Sequence, residues 1–337
     1  MYGPLLQGCA TVLYEGKPVG TPDAGAFWRV IQEYNVKTLF AAPTAIRAIK
    51  TDDPHGSMPK AHNLGMLKAV FLAGERCDPD TLRWVEDILN VPAVDHWWQT
   101  ELGWPGIGNQ LGLGFIKSRH GACASAVCGY ALEVLNDHGE KVPNGVMGNL
   151  VIKLPLPPGT LPTLYNNTQK FIETYLKPNP GYYTTGDAGF IDDDGYVHIM
   201  ARCDDVINTA GHRLSTGAIE EVLLDHPDVA ECAVIGVHDT LKGEVAVGFV
   251  TLVKGARIDK ALLCQELVLR VRDTIGPVAF FKKVRVVTAL PKTRSGKILR
   301  GTMKKIANGE PYTITPTIED PTIFDYLAPE IRSLVSS

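Results

Sequence analysis

Two charged side chains, Asp187 and Arg202, flank a short ribbon-like stretch and could act together. Asp187 closes the run Tyr182-Tyr183-Thr184-Thr185-Gly186-Asp187, in which a glycine turn presents a single carboxylate. The chain then turns at Asp192-Asp193-Asp194-Gly195. It returns with Arg202, inside Ala201-Arg202-Cys203-Asp204-Asp205-Val206-Ile207-Asn208. A carboxylate only accepts hydrogen bonds and a guanidinium only donates them. Side by side they suit the gripping of a diol, such as a ribose, next to a phosphate. The same residues equally fit a surface hairpin with a neighbouring ion pair. A second candidate is Pro291-Lys292-Thr293-Arg294-Ser295-Gly296-Lys297, a polar, cationic, glycine-containing loop. By itself it reads as a solvated basic turn.

The surrounding elements must position these groups. Residues 1–100 alternate strand-like and helix-like pieces. Ala10–Tyr14 reads as a short strand. A helix is expected from Thr21-Pro22-Asp23, with Pro in its first turn and Phe27, Val30, Ile31 and Tyr34 on one face. Lys37–Ala41, Lys68–Leu72 and Val91–His96 read as strands; Pro43-Thr44 and Asp78-Pro79 open helices. This rhythm predicts a mostly parallel sheet flanked by helices. Ligands of such sheets sit beyond the carboxyl ends of the strands. Two loops fall there, Ala73–Arg76 and Asp95–Glu101. Residues 105–200 carry turns at Asn136–Gly139, Asn144-Gly145 and Asp194-Gly195, and read as an antiparallel barrel or sheet. After Asp204-Asp205 a small α+β unit is expected: a serine-capped helix Ser215–Leu224, strands Val229–Val237 and Val245–Val253, a helix Lys260–Asp273, a strand Lys283–Val287 and a basic helix Ile298–Ala307.

Composition narrows the class. The 337 residues are 45% hydrophobic and 21% charged, with formal net charge −4. That is ordinary for a globular protein and argues against a nucleic-acid partner held by bulk charge. The seven cysteines are scattered with no CxxC pair, so neither a zinc ribbon nor a disulfide framework is indicated. Scattered thiols fit a reducing compartment. No run approaches the ~18 apolar residues of a transmembrane helix, so no membrane partner is expected.

Four segments in fixed order carry a resemblance: Trp97-Trp98-Gln99-Thr100-Glu101, Thr185-Gly186-Asp187, Arg202-x-Asp204-Asp205, and Pro291-Lys292-Thr293-x-Ser295-Gly296-Lys297. Together the chain resembles the adenylate-forming superfamily, and within it the short-chain acyl-CoA synthetases. Ala42–Arg47, Gly211-His212-Arg213 and Ile275-Gly276-Pro277 agree with that subgroup. Ala73-Gly74-Glu75-Arg76-Cys77 and Ile318–Phe324 are similar to the propionyl-CoA synthetase type.

The resemblance implies an α/β adenylation domain, of which residues 1–203 would be the C-terminal portion: a parallel sheet with helices plus a small β-barrel-like subdomain. A small, mobile α+β C-terminal domain would follow over residues 204–337. It implies small-molecule substrates, namely ATP, a short-chain carboxylate and CoA. The carboxylate would attack the α-phosphate to give acyl-AMP and pyrophosphate, and the thiol of CoA would then displace AMP. Carried over, Asp187 would hold the ribose hydroxyls with help from Arg202. Gly74, Glu75, Asp95, His96, Trp97, Gln99 and Thr100 would surround the nucleotide. Glu101 would ligate Mg²⁺, the plain alternative being a carboxylate on a helix dipole. Arg213 would approach the phosphates, the alternative being a surface ion pair. Asp204 would be the hinge and Lys297 the adenylation lysine, an ammonium bridging two anions as they meet. Ala210 and Arg272 would touch CoA, although relatives of the acetyl type often carry Ser at the first position and Arg272 also fits a plain helix-surface cation. Trp98 would floor the acyl pocket and Ala73 would leave room for an added methylene, which is worth only about 1–3 kcal/mol. His96, His198 and His212 are given no acid–base role, because the chemistry needs charge and positioning more than a base.

Two implied parts have no counterpart. One is a Ser/Thr/Gly-rich loop ending in Pro-Lys that wraps the β- and γ-phosphates. The other is a first subdomain, with one wall of the acyl pocket and part of the CoA site. An N-terminally truncated chain is therefore expected, with the compartment left between mitochondrial matrix and cytosol. The alternative function is a catalytically inactive fragment that binds AMP or acyl-AMP, or acts as an interaction module.

Overall fold

The computed structural model describes residues 2–114, 119–210, 212–253, 255–294 and 296–336. Gly211 and Ser295 of the motifs above lie outside the described residues. Three strands, Thr38–Ala41, Ala69–Leu72 and Ala93–Asp95, form a parallel sheet in chain order. Helices Pro43–Asp52 and Pro79–Leu89 each begin at a proline, whose fixed φ suits the first turn. Asp78 caps the second by accepting from the Thr81 amide. Together with helix Ala26–Tyr34 they bury Trp28, Ile46, Ile49, Leu82 and Val85 against Val70 and Leu72. The other face of the sheet is open: Phe40 is 60% exposed, and His96 meets both Phe40 and Phe71 edge to face.

An antiparallel sheet follows, in the order Val197–Arg202, Tyr182–Ile191, Gly148–Lys153, Leu132–Leu135. The Asp192 carboxylate closes its hairpin by accepting from the Asp194 and Tyr196 amides, and Gly195 takes φ +83°. Beyond the turn Ile199 pairs with Gly189 but Ala201 pairs with Ala188, so Met200 is a bulge. Arg202 consequently lies directly opposite Asp187.

Residues from Ile207 onward build a five-stranded sheet with helices on both faces. Strand Val229–Asp239 alternates from Cys232 onward, past an irregularity in its pairing between Val229 and Glu231. Cys232 and Val234 face helices Thr216–Leu224 and Lys260–Thr274, while Ala233, Ile235 and Val237 face helices Arg300–Ala307 and Ile323–Ser336. The fold is thus an α/β core with an antiparallel sheet, followed by a small α+β unit.

Three local expectations need correction. Ala10–Tyr14 forms no strand: residues 10–14 pair with no neighbour, and Leu13 is 72% exposed. An apolar run without a partner strand has nowhere to place its backbone hydrogen bonds. The first long helix starts at Ala26 rather than Thr21, and its buried face is Trp28 and Ile31, with Tyr34 exposed. The basic helix begins at Arg300 rather than Ile298; a further C-terminal helix, Ile323–Ser336, contains Pro329 and buries Phe324, Leu327, Ala328 and Ile331, which stand at helical spacing.

Candidate active site

Asp187 is buried, and the local sequence explains how it is held. Gly186 adopts φ +73°, and a side chain there would place its Cβ 2.9 Å from Arg202 Nη2. The glycine lets the guanidinium lie across the turn. Asp187 Oδ2 accepts from the Trp97 indole Nε1–H at 3.0 Å and from Gln99 Nε2 at 2.8 Å. Gln99 also donates to the Thr185 carbonyl at 2.6 Å and accepts from the Tyr183 hydroxyl at 3.0 Å. Among the described residues Oδ1 keeps only a long contact, 3.4 Å, to Arg202 Nη1. It is the oxygen with acceptor capacity left for an incoming hydroxyl. Burial pushes the Asp187 carboxyl above its ordinary range, against the pull of Arg202 and the donors on Oδ2.

A cavity opens at this carboxylate, and a second adjoins it through Gln99 and Arg202. The first, about 290 Å³, is bordered by Gly74, Glu75, Asp95, His96, Trp97, Trp98, Gln99, Asp187, Arg202 and Lys297. The second, about 370 Å³, shares Gly74, Trp98, Gln99 and Arg202 and adds Thr100, Glu101 and Tyr175. Glu75 is fixed by the Thr44 hydroxyl and the Arg47 guanidinium, and Arg47 also reaches Asp78 at 3.0 Å. Burial raises the Asp95 carboxyl to about 7, although the Cys123 thiol hydrogen-bonds to it. Burial holds His96 below its usual range. His198 stacks on Phe190 and sits 3.1 Å from Asp192 at the hairpin turn.

Lys297 reaches the first cavity because its loop leans on the parallel sheet's helices. Gly296, at φ +87°, brings the turn against Thr44. Arg76, on the turn that carries Glu75, donates to the Gly217 carbonyl at 3.0 Å and to Glu221 at 2.6 Å. That contact ties the start of helix Thr216–Leu224 to the sheet's carboxyl edge. Ser215 caps the same helix and also donates to the Met200 carbonyl at 2.8 Å.

Other expected site residues do not line these cavities. Arg213 is engaged by Asp137 at 2.5 Å and Asn149 at 2.8 Å. Ala210 is exposed at φ +49°, its amide on the Lys242 carbonyl. Arg272 projects from the exposed last turn of helix Lys260–Thr274. Ala73 is buried behind Gly74. Asp204 is exposed beside Arg202, 3.5 Å from its Nε. Tyr175 and Arg76 were not singled out for roles from sequence; neither stands at a spacing that marks it, since both act on partners distant along the chain.

Among the described residues no cluster of three or more His, Cys, Asp or Glu could hold a metal by itself. A lone carboxylate does fit Mg²⁺, which is usually held by one or two carboxylates together with nucleotide phosphates. Glu101 is such a carboxylate, with one oxygen on the Tyr175 hydroxyl. No helix among the described residues is long and apolar enough to cross a membrane.

With this geometry the chain belongs to the AMP-binding, adenylate-forming enzymes: residues 1–158 match the family described as AMP-binding enzyme, and residues 218–297 match the AMP-binding enzyme C-terminal domain. It is 50% identical over 335 residues to the mitochondrial acyl-CoA synthetase short-chain family member 3 of Mus musculus, covering 99% of this chain and 49% of that protein. It is 42% identical over 334 residues to propionate–CoA ligase of Escherichia coli, covering 97% and 52%. The fold superposes on an anthranilate–CoA ligase crystallised with anthranoyl-AMP, with TM-score 0.76, 26% identity, and 89% and 55% coverage. The chain thus spans about half the length of the curated relatives it matches.

Proposed function

We propose that this chain carries the adenylation site of a short-chain carboxylate–CoA ligase, with propionate, acetate or butyrate as the acid. The observation that carries this reading is the buried Asp187, held by Trp97, Gln99 and Arg202, at a cavity that Lys297 also borders. The names of the mouse and Escherichia coli relatives support the reaction class.

In this reading Asp187 Oδ1 accepts the ribose hydroxyls and Arg202 neutralises the carboxylate. Gly74, Glu75, Asp95, His96, Trp97, Gln99 and Thr100 enclose the nucleotide. The Lys297 ammonium spans the incoming carboxylate and the α-phosphate, favouring the transition state in which the two anions meet. Glu101 would hold Mg²⁺, which when bound supplies charge neutralisation at the phosphates. The second half-reaction consumes CoA and needs Lys297 to withdraw. Residues 204–337 would swing about Asp204 for it, bringing Ala210 and Arg272 toward CoA. Arg213 would have to leave Asp137 and Asn149 to reach a phosphate. Trp98, 42% exposed at the rim of both cavities, would limit the acyl chain, with Ala73 behind it. The mitochondrial name of the mouse relative makes the matrix the compartment to test first.

The test is propionate-dependent exchange of pyrophosphate into ATP by this chain, with Lys297→Ala and Asp187→Ala alongside. Exchange by the parent and its loss in Lys297→Ala is the expected result. AMP binding without exchange, abolished by Asp187→Ala, would replace ligase activity with a nucleotide-binding role.

A further inference from the structure

We infer that Tyr175 is the positioning residue of the cation site: its hydroxyl sets the Glu101 carboxylate while its ring locks that carboxylate to the ribose clamp. The inference rests on the reading of Glu101 as a metal ligand given above.

The short helix Thr168–Phe171 does not end regularly. It widens into one π turn, Ile172–Leu176, and the Lys177 amide donates to the Ile172 carbonyl at 2.8 Å. Such i→i+5 turns are rare and often occur at functional sites. Here the wide turn points Tyr175 inward while Phe171 stays buried as its anchor, the two rings 5.5 Å apart. The Tyr175 ring lies parallel to that of Tyr183, with centroids 5.3 Å apart and planes 5° from coplanar. Its hydroxyl donates to Glu101 Oε1 at 2.7 Å. No hydrogen bond or ion pair to a described residue engages Oε2, which leaves that oxygen for a cation in the cavity lined by Thr184, Thr185, Gly186 and Arg202.

Tyr183 completes the link. It is fully buried, and its hydroxyl donates to Gln99 Oε1, while Gln99 Nε2 donates to Asp187. One continuous path therefore runs from Glu101 through Tyr175, Tyr183 and Gln99 to the carboxylate proposed to grip ribose. A glutamate held by one fixed donor loses its side-chain freedom before the cation arrives, the usual service of a hydrogen-bonding partner behind a metal ligand.

The experiment uses the whole chain and Mn²⁺ as a spectroscopic probe. Electron paramagnetic resonance measures Mn²⁺ affinity in the presence of ATP, and calorimetry measures AMP affinity without metal. Tyr175→Phe keeps the stacked ring and removes only the hydroxyl. It is expected to weaken Mn²⁺ binding about tenfold, the lower end for loss of such a partner, and to leave AMP affinity unchanged. Glu101→Gln should weaken Mn²⁺ at least as much, and the double variant should lose little more than Glu101→Gln alone. Parental Mn²⁺ affinity in Tyr175→Phe, with loss in Glu101→Gln, overturns the inference and leaves the Glu101 reading standing. Equal losses of Mn²⁺ and AMP in Tyr175→Phe also overturn it, since they mark a structural role. If Glu101→Gln binds Mn²⁺ as the parent does, the Glu101 reading fails and the inference falls with it.

Discussion

Arg202 stands directly across the strand pair from Asp187, yet its nearest nitrogen is 3.4 Å from the carboxylate. A tight bidentate pair would have consumed both Asp187 oxygens. The loose contact supplies charge and leaves Oδ1 open, while the uncharged donors Trp97 and Gln99 saturate Oδ2.

Asp187→Ala should therefore abolish nucleotide binding more than it harms the fold. Hydrogen bonds to charged groups are worth about 1.5–3 kcal/mol each. AMP affinity by calorimetry is expected to fall on the order of tenfold to a hundredfold per lost hydroxyl contact, with the thermal midpoint changing by only a few degrees. A variant that binds AMP as the parent does would remove Asp187 from the site.

Gly186→Ala tests the turn. The residue sits at φ +73°, and a Cβ would press on the Arg202 guanidinium. Left-handed strain alone costs roughly 1–3 kcal/mol. Arg202 can move aside, so the expected outcome is a drop in chemical-denaturation stability of about that size together with weakened AMP binding. Unchanged values for both would mean the guanidinium has no fixed place there.

Asp95 gives a pH signature. Its folded carboxyl titrates at about 7, above the unfolded value, because burial disfavours the charge. The folded state therefore holds a proton that the unfolded state has lost. Its contribution to stability is full below the ordinary carboxylate range and falls as pH rises toward about 7, then levels off. Asp95→Asn cannot ionise. The stability of the parent relative to Asp95→Asn, from urea midpoints, should decline between pH 4.5 and pH 7.5; a pH-independent difference would refute the assignment.

Arg76→Ala should loosen the docking of residues 204–337. The guanidinium holds both the Gly217 carbonyl and Glu221, and only 20% of the side chain is exposed. Breaking a half-buried charged contact of this kind costs on the order of 1–3 kcal/mol. Limited proteolysis around Cys203–Val206 should accelerate severalfold, with the melting of the parallel-sheet half little affected. Parental cleavage rates would show that other contacts carry the docking.

Much of this was legible in the chain. The parallel strands announced themselves as apolar runs, the helices after them by Pro43 and Asp78, and the first helix of the C-terminal unit by Ser215, local signals that the structure uses as caps and first turns. The Asp187–Arg202 pairing was legible because a hairpin joins them. What was hidden is non-local. Nothing near Arg213 in sequence reveals that Asp137 and Asn149 engage it, and nothing near Tyr175 reveals Glu101, seventy-four positions away. Apolar composition also misled at Ala10–Tyr14, where a strand needs a neighbour to pair with.

The bulge at Met200 has a further consequence, one of parity. In a regular ladder continued from Ile199 and Gly189, Ala201 would face Asp187, and Arg202 would face Gly186 and point to the opposite side of the sheet. The single extra residue reverses the phase of the strand's last turn, and its freed carbonyl becomes the acceptor for Ser215. The guanidinium's presence at the carboxylate is thus set by an odd count of backbone units. Substituting the side chain of Met200 leaves that count alone, whereas deleting the residue would move every side chain beyond it to the wrong face.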